Sequence, residues 1–588
     1  MIDIAGEYGI KIKNIEASTL IEYNKGLRDH YEYKNAMLTN SLFLDFLKEI
    51  GINIHNESET RDIVCFEFNY GTRSFEKEME HLRNIGSNAL NEYKKAVVDD
   101  DKNLIEKALN KRNKISAILE KAIANKDVYV EMSTEQCRIE LYENGIDITY
   151  TSEKLPPKTI HYKMLYRSTG KAKKGTVNFI NEEFYEQAKE FLYMGIKLPQ
   201  KNAMIVEASA YIPLISSGIV GRVQIFPENI LVLEDVDRFY SRDVVSIELD
   251  DDKHCVARWI DDYKLKNTLF DGQALIDDSI FPEWASGYVL LRHHFTKMAA
   301  FRTNIQDFFR DWCKENNKDY ETYQVKDCFG NTYYAKDIKL ITTTNAIKFL
   351  KLNISYDYWC EWVRKNDCYF GVVKFSHPSK LGDFQKMSYQ YCNSLEESTF
   401  KNVCDETVKY IERMKADDEE FKIFLSKNMN FSNDYEVLLD LCDRNSDFVH
   451  CSYFRERKHR ILSSYLQRVK SGEILQYGDN LVIVGSPFAM LLYAITGDEK
   501  ACDLDDTLLV EEGTIQCYTS RFNDGDYLAG FRSPFNGRFN MDYMHNHWDE
   551  RFDKYFKFSP QIIAVNMIGT DFQDRNKTIV STAQKCVA

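Results

Sequence analysis

Between Leu481 and Asn576 the chain alternates short apolar runs with turn residues. Leu481-Val482-Ile483-Val484 is closed by Gly485-Ser486-Pro487. Gly513-Thr514-Ile515-Gln516-Cys517-Tyr518 follows, then Ala529-Gly530-Phe531-Arg532-Ser533-Pro534-Phe535. The stretch ends in Gln561-Ile562-Ile563-Ala564-Val565-Asn566 and Thr570-Asp571-Phe572-Gln573-Asp574-Arg575-Asn576. Runs of this length, rich in β-branched residues and broken by Gly, Pro and Asn, predict the strands of a barrel or sandwich. The Arg532-Ser533-Pro534 turn would stiffen a loop and present a guanidinium fork, a donor suited to phosphate or sugar oxygens.

Composition narrows the classes. At 588 residues, several domains are expected. With 44% hydrophobic and 28% charged residues the chain reads as an ordinary globular protein, and only 10 Pro and 26 Gly argue against long linkers. The net charge of −15 is not that of a basic nucleic-acid coat, though a local basic channel is compatible with it. No apolar run reaches the ~18 residues of a membrane span. Met1 to Asn14 lacks a signal core. The 14 cysteines form no C-x-x-C pair and read as reduced thiols without a zinc site. A cytoplasmic protein, with no membrane partner, is the expectation.

Taken in order, residues 1–127 read as a mainly helical region. Phe75 to Ala124 predicts a charged helical hairpin that turns at Val98-Asp99-Asp100-Asp101, with an Asp capping the second helix. Its faces read as solvated; a nucleic-acid arm is the alternative. Residues 128–250 read as mixed and β-rich. Val128–Met132 and Cys137–Tyr142 alternate like strands, with a turn at Asn144-Gly145. The loop Arg167-Ser168-Thr169-Gly170-Lys171-Ala172-Lys173-Lys174-Gly175 is the most basic in the chain. Arg167, Lys171, Lys173 and Lys174 are candidate contacts to a phosphate backbone, or only a solvated loop. Residues 251–354 hold Phe270-Asp271-Gly272-Gln273, then Leu290-Leu291-Arg292-His293-His294-Phe295-Thr296-Lys297, then Leu340 to Phe349. Residues 355–478 read as a helical connector, with a basic run Arg455-Glu456-Arg457-Lys458-His459-Arg460. It lines a template path or simply faces water. Residues 479–588 hold the strand-rich stretch described first.

Two blocks together, residues 267–349 and 481–576, resemble the single-chain two-barrel RNA polymerases of RNA silencing and of phages. The resemblance spans roughly residues 152–576. It implies an α+β fold in which a helical N-terminal region precedes two double-psi β-barrel regions joined by helices. It implies template-directed nucleotidyl transfer from nucleoside triphosphates to an RNA 3′ end on an RNA or DNA template. In that family Lys297 and Lys348 would face the phosphates or the primer. Arg532 would reach the nucleotide sugar, with Pro534 holding its loop, and Asn566 and Arg575 would shape the approach to the metal loop. Arg292 joins the candidate phosphate contacts. Read alone, each lysine is a surface residue.

One departure is sharp. The family carries an Asp-x-Asp-x-Asp motif for its Mg²⁺ ions after the Asp-Arg-Asn stretch, and no such motif occurs in these 588 residues. Mg²⁺ is therefore expected of the intact family enzyme and not of this chain. The second barrel is expected to be incomplete, with a missing C-terminal part or chain, and the polypeptide to be inactive alone. The rival expectation is a non-catalytic nucleic-acid-binding or scaffold protein that closes the same barrel with residues 577–588. Asp503-Leu504-Asp505-Asp506-Thr507 imitates a phosphatase nucleophile motif, but no buried strand precedes it. These aspartates are expected in an exposed turn before a strand near Thr507. His293-His294 is expected to pack rather than bind metal.

Overall fold

Apolar alternation along Gly9–Glu16, Glu59–Glu67 and Val177–Asn181 puts three strands at the centre of the first sheet of the computed structural model. The structure describes residues 9–56, 58–98, 101–151, 156–167, 176–197, 208–352, 354–386, 397–429, 433–508, 515–531, 541–568 and 585–587. The chain is mixed α+β and divides into two units, Met1–Gly218 and Ile219–Ala588.

In the first unit the strands run in the order Tyr33–Thr39, Gly9–Glu16, Glu59–Glu67, Val177–Asn181, Lys158–Arg167 and Ile146–Tyr150, with Ile54–His55 added to Glu59–Glu67. One face packs Ile15, Val64, Phe66, Ile148 and Phe179 against Leu20 and Leu141 of the covering helices. The helical hairpin is present as Phe75–Val98 and Lys102–Ala124. The Asp101 carboxylate accepts from the amides of Asn103 and Leu104 at 3.0 and 3.1 Å, the capping expected of it.

Residues 1–127 hold more helix than strand, with strands Gly9–Glu16, Tyr33–Thr39, Ile54–His55 and Glu59–Glu67 lying among the helices. Three local readings beyond them need correction. Cys137–Tyr142 belongs to a helix, Thr134–Asn144, and Val128–Met132 forms no strand. The helix is nucleated by a capping box: Ser133 Oγ accepts from the Gln136 amide at 3.2 Å, and Gln136 Oε1 accepts from the Ser133 amide at 2.7 Å. Its buried residues are Cys137 and Leu141, four apart, while Ile139 between them is exposed. Gly145 is accordingly the cap of this helix rather than a turn between strands.

The second unit holds two β-systems and a helical subregion. A seven-stranded sheet runs Gly221–Gln224, Tyr369–Phe375, Tyr288–His293, Thr296–Thr303, Gln273–Asp277, Leu340–Thr343, Ile230–Leu233. A six-stranded closed barrel runs Asn480–Gly485, Ile562–Val565, Ile515–Tyr518, Met541–Asn546, Tyr527–Phe531, Lys585–Val587. The expectation of an incomplete second barrel is therefore corrected. Val587 pairs with Asn480 on one side and Phe531 on the other, so no strand edge of the ring is left open. Helices Glu397–Ala416, Asp418–Lys427, Tyr435–Arg444 and Ser452–Lys470 pack their own core around Met414, Phe421, Leu425, Phe454 and Tyr465.

A single hydrophobic core runs through both β-systems. Leu231, Leu275, Phe301 and Ile341 of the sheet join Leu481, Val484, Cys517 and Ile563 of the barrel. Gln273 locks the two together. Its amide nitrogen donates to the Gly485 carbonyl at 3.0 Å, and its carbonyl accepts from the Gly485 amide at 2.8 Å. Gly485 has to be glycine, since a Cβ there would stand 2.6 Å from Met567 Cγ and 2.9 Å from the Leu269 carbonyl oxygen. The two sequence blocks thus meet at Gln273 and Gly485.

Candidate functional site

The turn Phe270-Asp271-Gly272-Gln273 projects a carboxylate at the start of a central strand. The Gln273 amide donates to the Phe270 carbonyl at 3.1 Å, and Gly272 has φ +70°, which a turn with a left-handed third residue requires. Asp271 is mostly buried, and its Oδ1 has no hydrogen-bond partner. Burial raises its pKa and the neighbouring Asp235 carboxylate adds to the rise, while the ammonium groups of Lys348, Lys297 and Lys351 oppose it.

The neighbouring hairpin supplies two of those charges. Tyr288–His293 and Thr296–Thr303 pair through a two-residue turn, His294-Phe295, which sets Arg292 directly opposite Lys297. Like charges opposite one another across a sheet repel. Both are largely shielded from water: burial holds Arg292 down to about 10, and burial plus the Arg292 and Lys348 charges brings Lys297 to about 8. The hairpin tip is pinned from two sides. The Lys348 amide donates to the Phe295 carbonyl at 2.8 Å, and Trp359 Nε1 donates to the His294 carbonyl at 3.1 Å.

Lys348 does not end a strand, as expected, but opens the short helix Lys348–Leu352, and it is buried. Its ammonium donates to Asn345 Oδ1, and the Asn345 amide donates to Asp235 Oδ1 at 3.2 Å. The result is a half-enclosed cluster in which Arg292, Lys297, Lys348 and Lys351 outnumber Asp271 and Asp235. Such a cluster favours an anion with several oxygens, because each bound oxygen relieves repulsion among the cations as well as gaining its own contact. His293 and His294 pack beneath it. The His293 ring lies 5.0 Å from Phe370 and 6.0 Å from Trp359, and burial drives its pKa down to about 3, so the imidazole is neutral.

The other expected site residues fall elsewhere. Arg532, Pro534, Arg575, Lys171, Lys173 and Lys174 lie outside the described residues, as do Asp571 and Asp574. Arg167 ends the strand Lys158–Arg167 of the first unit and is exposed. Asn566 is a fold residue. Its amide nitrogen donates to the Leu508 carbonyl, and its side-chain oxygen accepts from the Ile568 amide at 2.7 Å. Asp505 is not in an exposed turn: it accepts from the Ala489 amide at 3.2 Å and from Thr507 Oγ1 at 2.6 Å, capping the helix Pro487–Thr496. Asp503 pairs with Arg238 at 3.2 Å, and the next described strand begins at Ile515 rather than near Thr507. Among the described residues no group of three or more His, Cys, Asp or Glu side chains is placed to hold a metal ion, and no helix is long and apolar enough to cross a membrane.

Sequence reasoning found Arg292, Lys297 and Lys348 but gave Asp271 no role, although Asp271 sits in a motif it singled out. No family model matches the chain, and no curated protein matches it.

Proposed function

We propose that this chain is a polynucleotide-binding protein built on the barrel pair of the two-barrel RNA polymerases. The seven-stranded sheet stands for the first double-psi barrel and the six-stranded ring for the second. The observation that carries the reading is the convergence of Lys297 and Lys348 on Asp271, with Arg292 opposite Lys297. There the three cations grip the phosphate of an RNA 3′ end or of a nucleoside triphosphate. The shared core and the Gln273–Gly485 lock support it, since they join the two blocks in which the resemblance resides.

Phosphoryl transfer by that family needs an anionic cage for two Mg²⁺ ions. The aspartate triad that would form it is absent from these 588 residues. The chain therefore binds and positions phosphate without polymerising RNA by itself. A second reading, a non-catalytic nucleic-acid-binding or scaffold protein built on the same barrels, is favoured by one observation, the closure of the ring by Lys585–Val587. One pair of assays tests both. Single-stranded RNA binding should weaken steeply with salt, in proportion to the phosphates neutralised. Mg²⁺-dependent nucleotide incorporation should be absent from the chain alone. Incorporation at a rate above background would overturn the non-polymerising reading, and salt-independent or undetectable RNA binding would overturn the proposal as a whole.

A further inference from the structure

The two faces of the first unit's sheet differ in kind. In one cross-strand row Ile15, Phe66 and Val177 lie side by side on adjacent strands, buried in the apolar core. One residue back along the first strand, the row is Asn14, Cys65, Asn178 and Tyr166. Successive residues of a strand point to opposite faces, so this polar row lies on the second face. A cavity of about 370 Å³ separates it from Pro213, Ser216 and Ser217, a size within the range of small-molecule sites. Asn14 is committed, since its Nδ2 donates to Glu67 Oε1 at 2.6 Å. Asn178 is not. It is 7% exposed and lines the cavity, yet its carboxamide has no hydrogen-bond partner among the described residues. Buried carboxamides are normally paired, and one that is not costs free energy that a ligand with matched groups would recover.

We propose that this cavity binds an adenine base, with the Asn178 carboxamide donating to a ring nitrogen and accepting from the 6-amino group. Two features select that ligand. The first is charge. Among the described lining residues there is no Lys, Arg or His, and Glu67 is the charged side chain, so the cavity disfavours an anion and suits a neutral group. The second is the pattern of groups. A carboxamide sets a donor beside an acceptor in one plane, and an adenine edge offers the matching acceptor and donor for two hydrogen bonds. Ile12, Leu38 and Pro213 in the same lining supply apolar surface for the faces of a flat ring. The described lining residues all belong to the first unit, so the site is independent of the phosphate cluster.

Calorimetric titration of the full chain with adenosine tests this. A dissociation constant on the order of 10–100 μM is expected for a ligand of that size. Purine riboside, which lacks the 6-amino group, should bind at least about fivefold more weakly. Asn178→Leu should weaken adenosine at least about tenfold while leaving the thermal melt level or raised, because it removes a buried group without a protein partner. The base comes either from a free nucleoside or from an RNA strand, and short oligonucleotides separate the two. Oligoadenylate that outbinds oligouridylate of equal length, with the preference lost in Asn178→Leu, identifies the strand. Adenosine binding with no such preference identifies the nucleoside. Absence of adenosine binding at about 1 mM together with equal binding of the two oligonucleotides would overturn the proposal. So would adenosine binding that survives Asn178→Leu, or a melt lowered by several degrees in that variant, which would make the carboxamide a fold residue.

Discussion

Two basic clusters in the second unit differ in how their charges are kept. On the helix Ser452–Lys470, Arg457 pairs with Asp434, Lys458 with Asp418 at 2.7 Å, and Arg460 with Glu456 at 3.6 Å. Each of these three cations has an acid partner, and the Arg457 and Lys458 pairs tie the helix to the neighbouring segments of the helical subregion. In the seven-stranded sheet Arg292 and Lys297 face each other across a hairpin, Lys348 stands beside Lys297, and the carboxylates of Asp271 and Asp235 lie next to them. Cations buried against one another cost stability, so the second cluster is a candidate for ligand binding and the first is not. The basic helical run, read as either a template path or a solvated face, belongs to the packing of its own subregion.

The largest expected effect breaks the comparison directly. Lys297→Gln with Lys348→Gln should reduce single-stranded RNA affinity by about 100-fold at low salt, from two lost charge-assisted contacts, as read by fluorescence anisotropy. Arg457→Gln with Lys458→Gln should leave affinity within about twofold and instead lower the melting temperature. Equal losses in both variants would mean the clusters do not differ in kind.

Next comes the lock that holds the sheet to the barrel. Gly485→Ala should cost about 2–3 kcal/mol, because the new methyl meets the Leu269 carbonyl as well as the yielding Met567 side chain. Gln273→Leu should cost a similar amount by leaving both polar groups of Gly485 unpaired. Denaturant melts read both, and a change under about 0.5 kcal/mol would show that the barrel does not depend on this contact.

A smaller effect has the opposite sign. Lys297→Met should stabilise the fold by about 1 kcal/mol near neutral pH, allowing for solvent screening of a partly exposed group. Lys297 is held down to about 8 in the fold against an ordinary value of 10.5. The unfolded chain therefore binds the extra proton between those values, and wild-type stability should rise with pH from about 8 toward 10.5. The methionine variant should lack that rise. The smallest effect sharpens the local account of the first unit: Ser133→Ala should cost about 1 kcal/mol through its capping box.

How much of this was legible in the sequence varies by element. The strands Leu481–Val484 and Ile562–Val565 announce themselves as β-branched runs flanked by Gly or Pro, Ile515–Tyr518 only as a short apolar run after Gly513, and the helical hairpin announces itself by its Asp cap. Thr134–Asn144 does not, since Val128, Val130 and Met132 just before it imitate alternation, and only the four-residue spacing of Cys137 and Leu141 betrays the helix. The pairing of Arg292 with Lys297 was hidden for another reason. Its hairpin turns on His294-Phe295, with Phe295 at φ +50° and no Gly or Asn to mark the turn. Without that register, Asp271, Arg292 and Lys297 are unrelated positions in the chain. Lys348 was within reach only through the resemblance, because nothing local shows that the residue after Ile347 folds back onto Phe295.

The most direct test of the central claim is the pH profile of single-stranded RNA affinity for the wild type and for Lys297→Arg. If Lys297 grips phosphate as the ammonium, wild-type affinity should be level below about pH 8 and fall about tenfold per pH unit above it. The arginine variant should stay level over the same range, because its guanidinium keeps its proton. Superimposable profiles would contradict the account and place the phosphate contact elsewhere on the molecule.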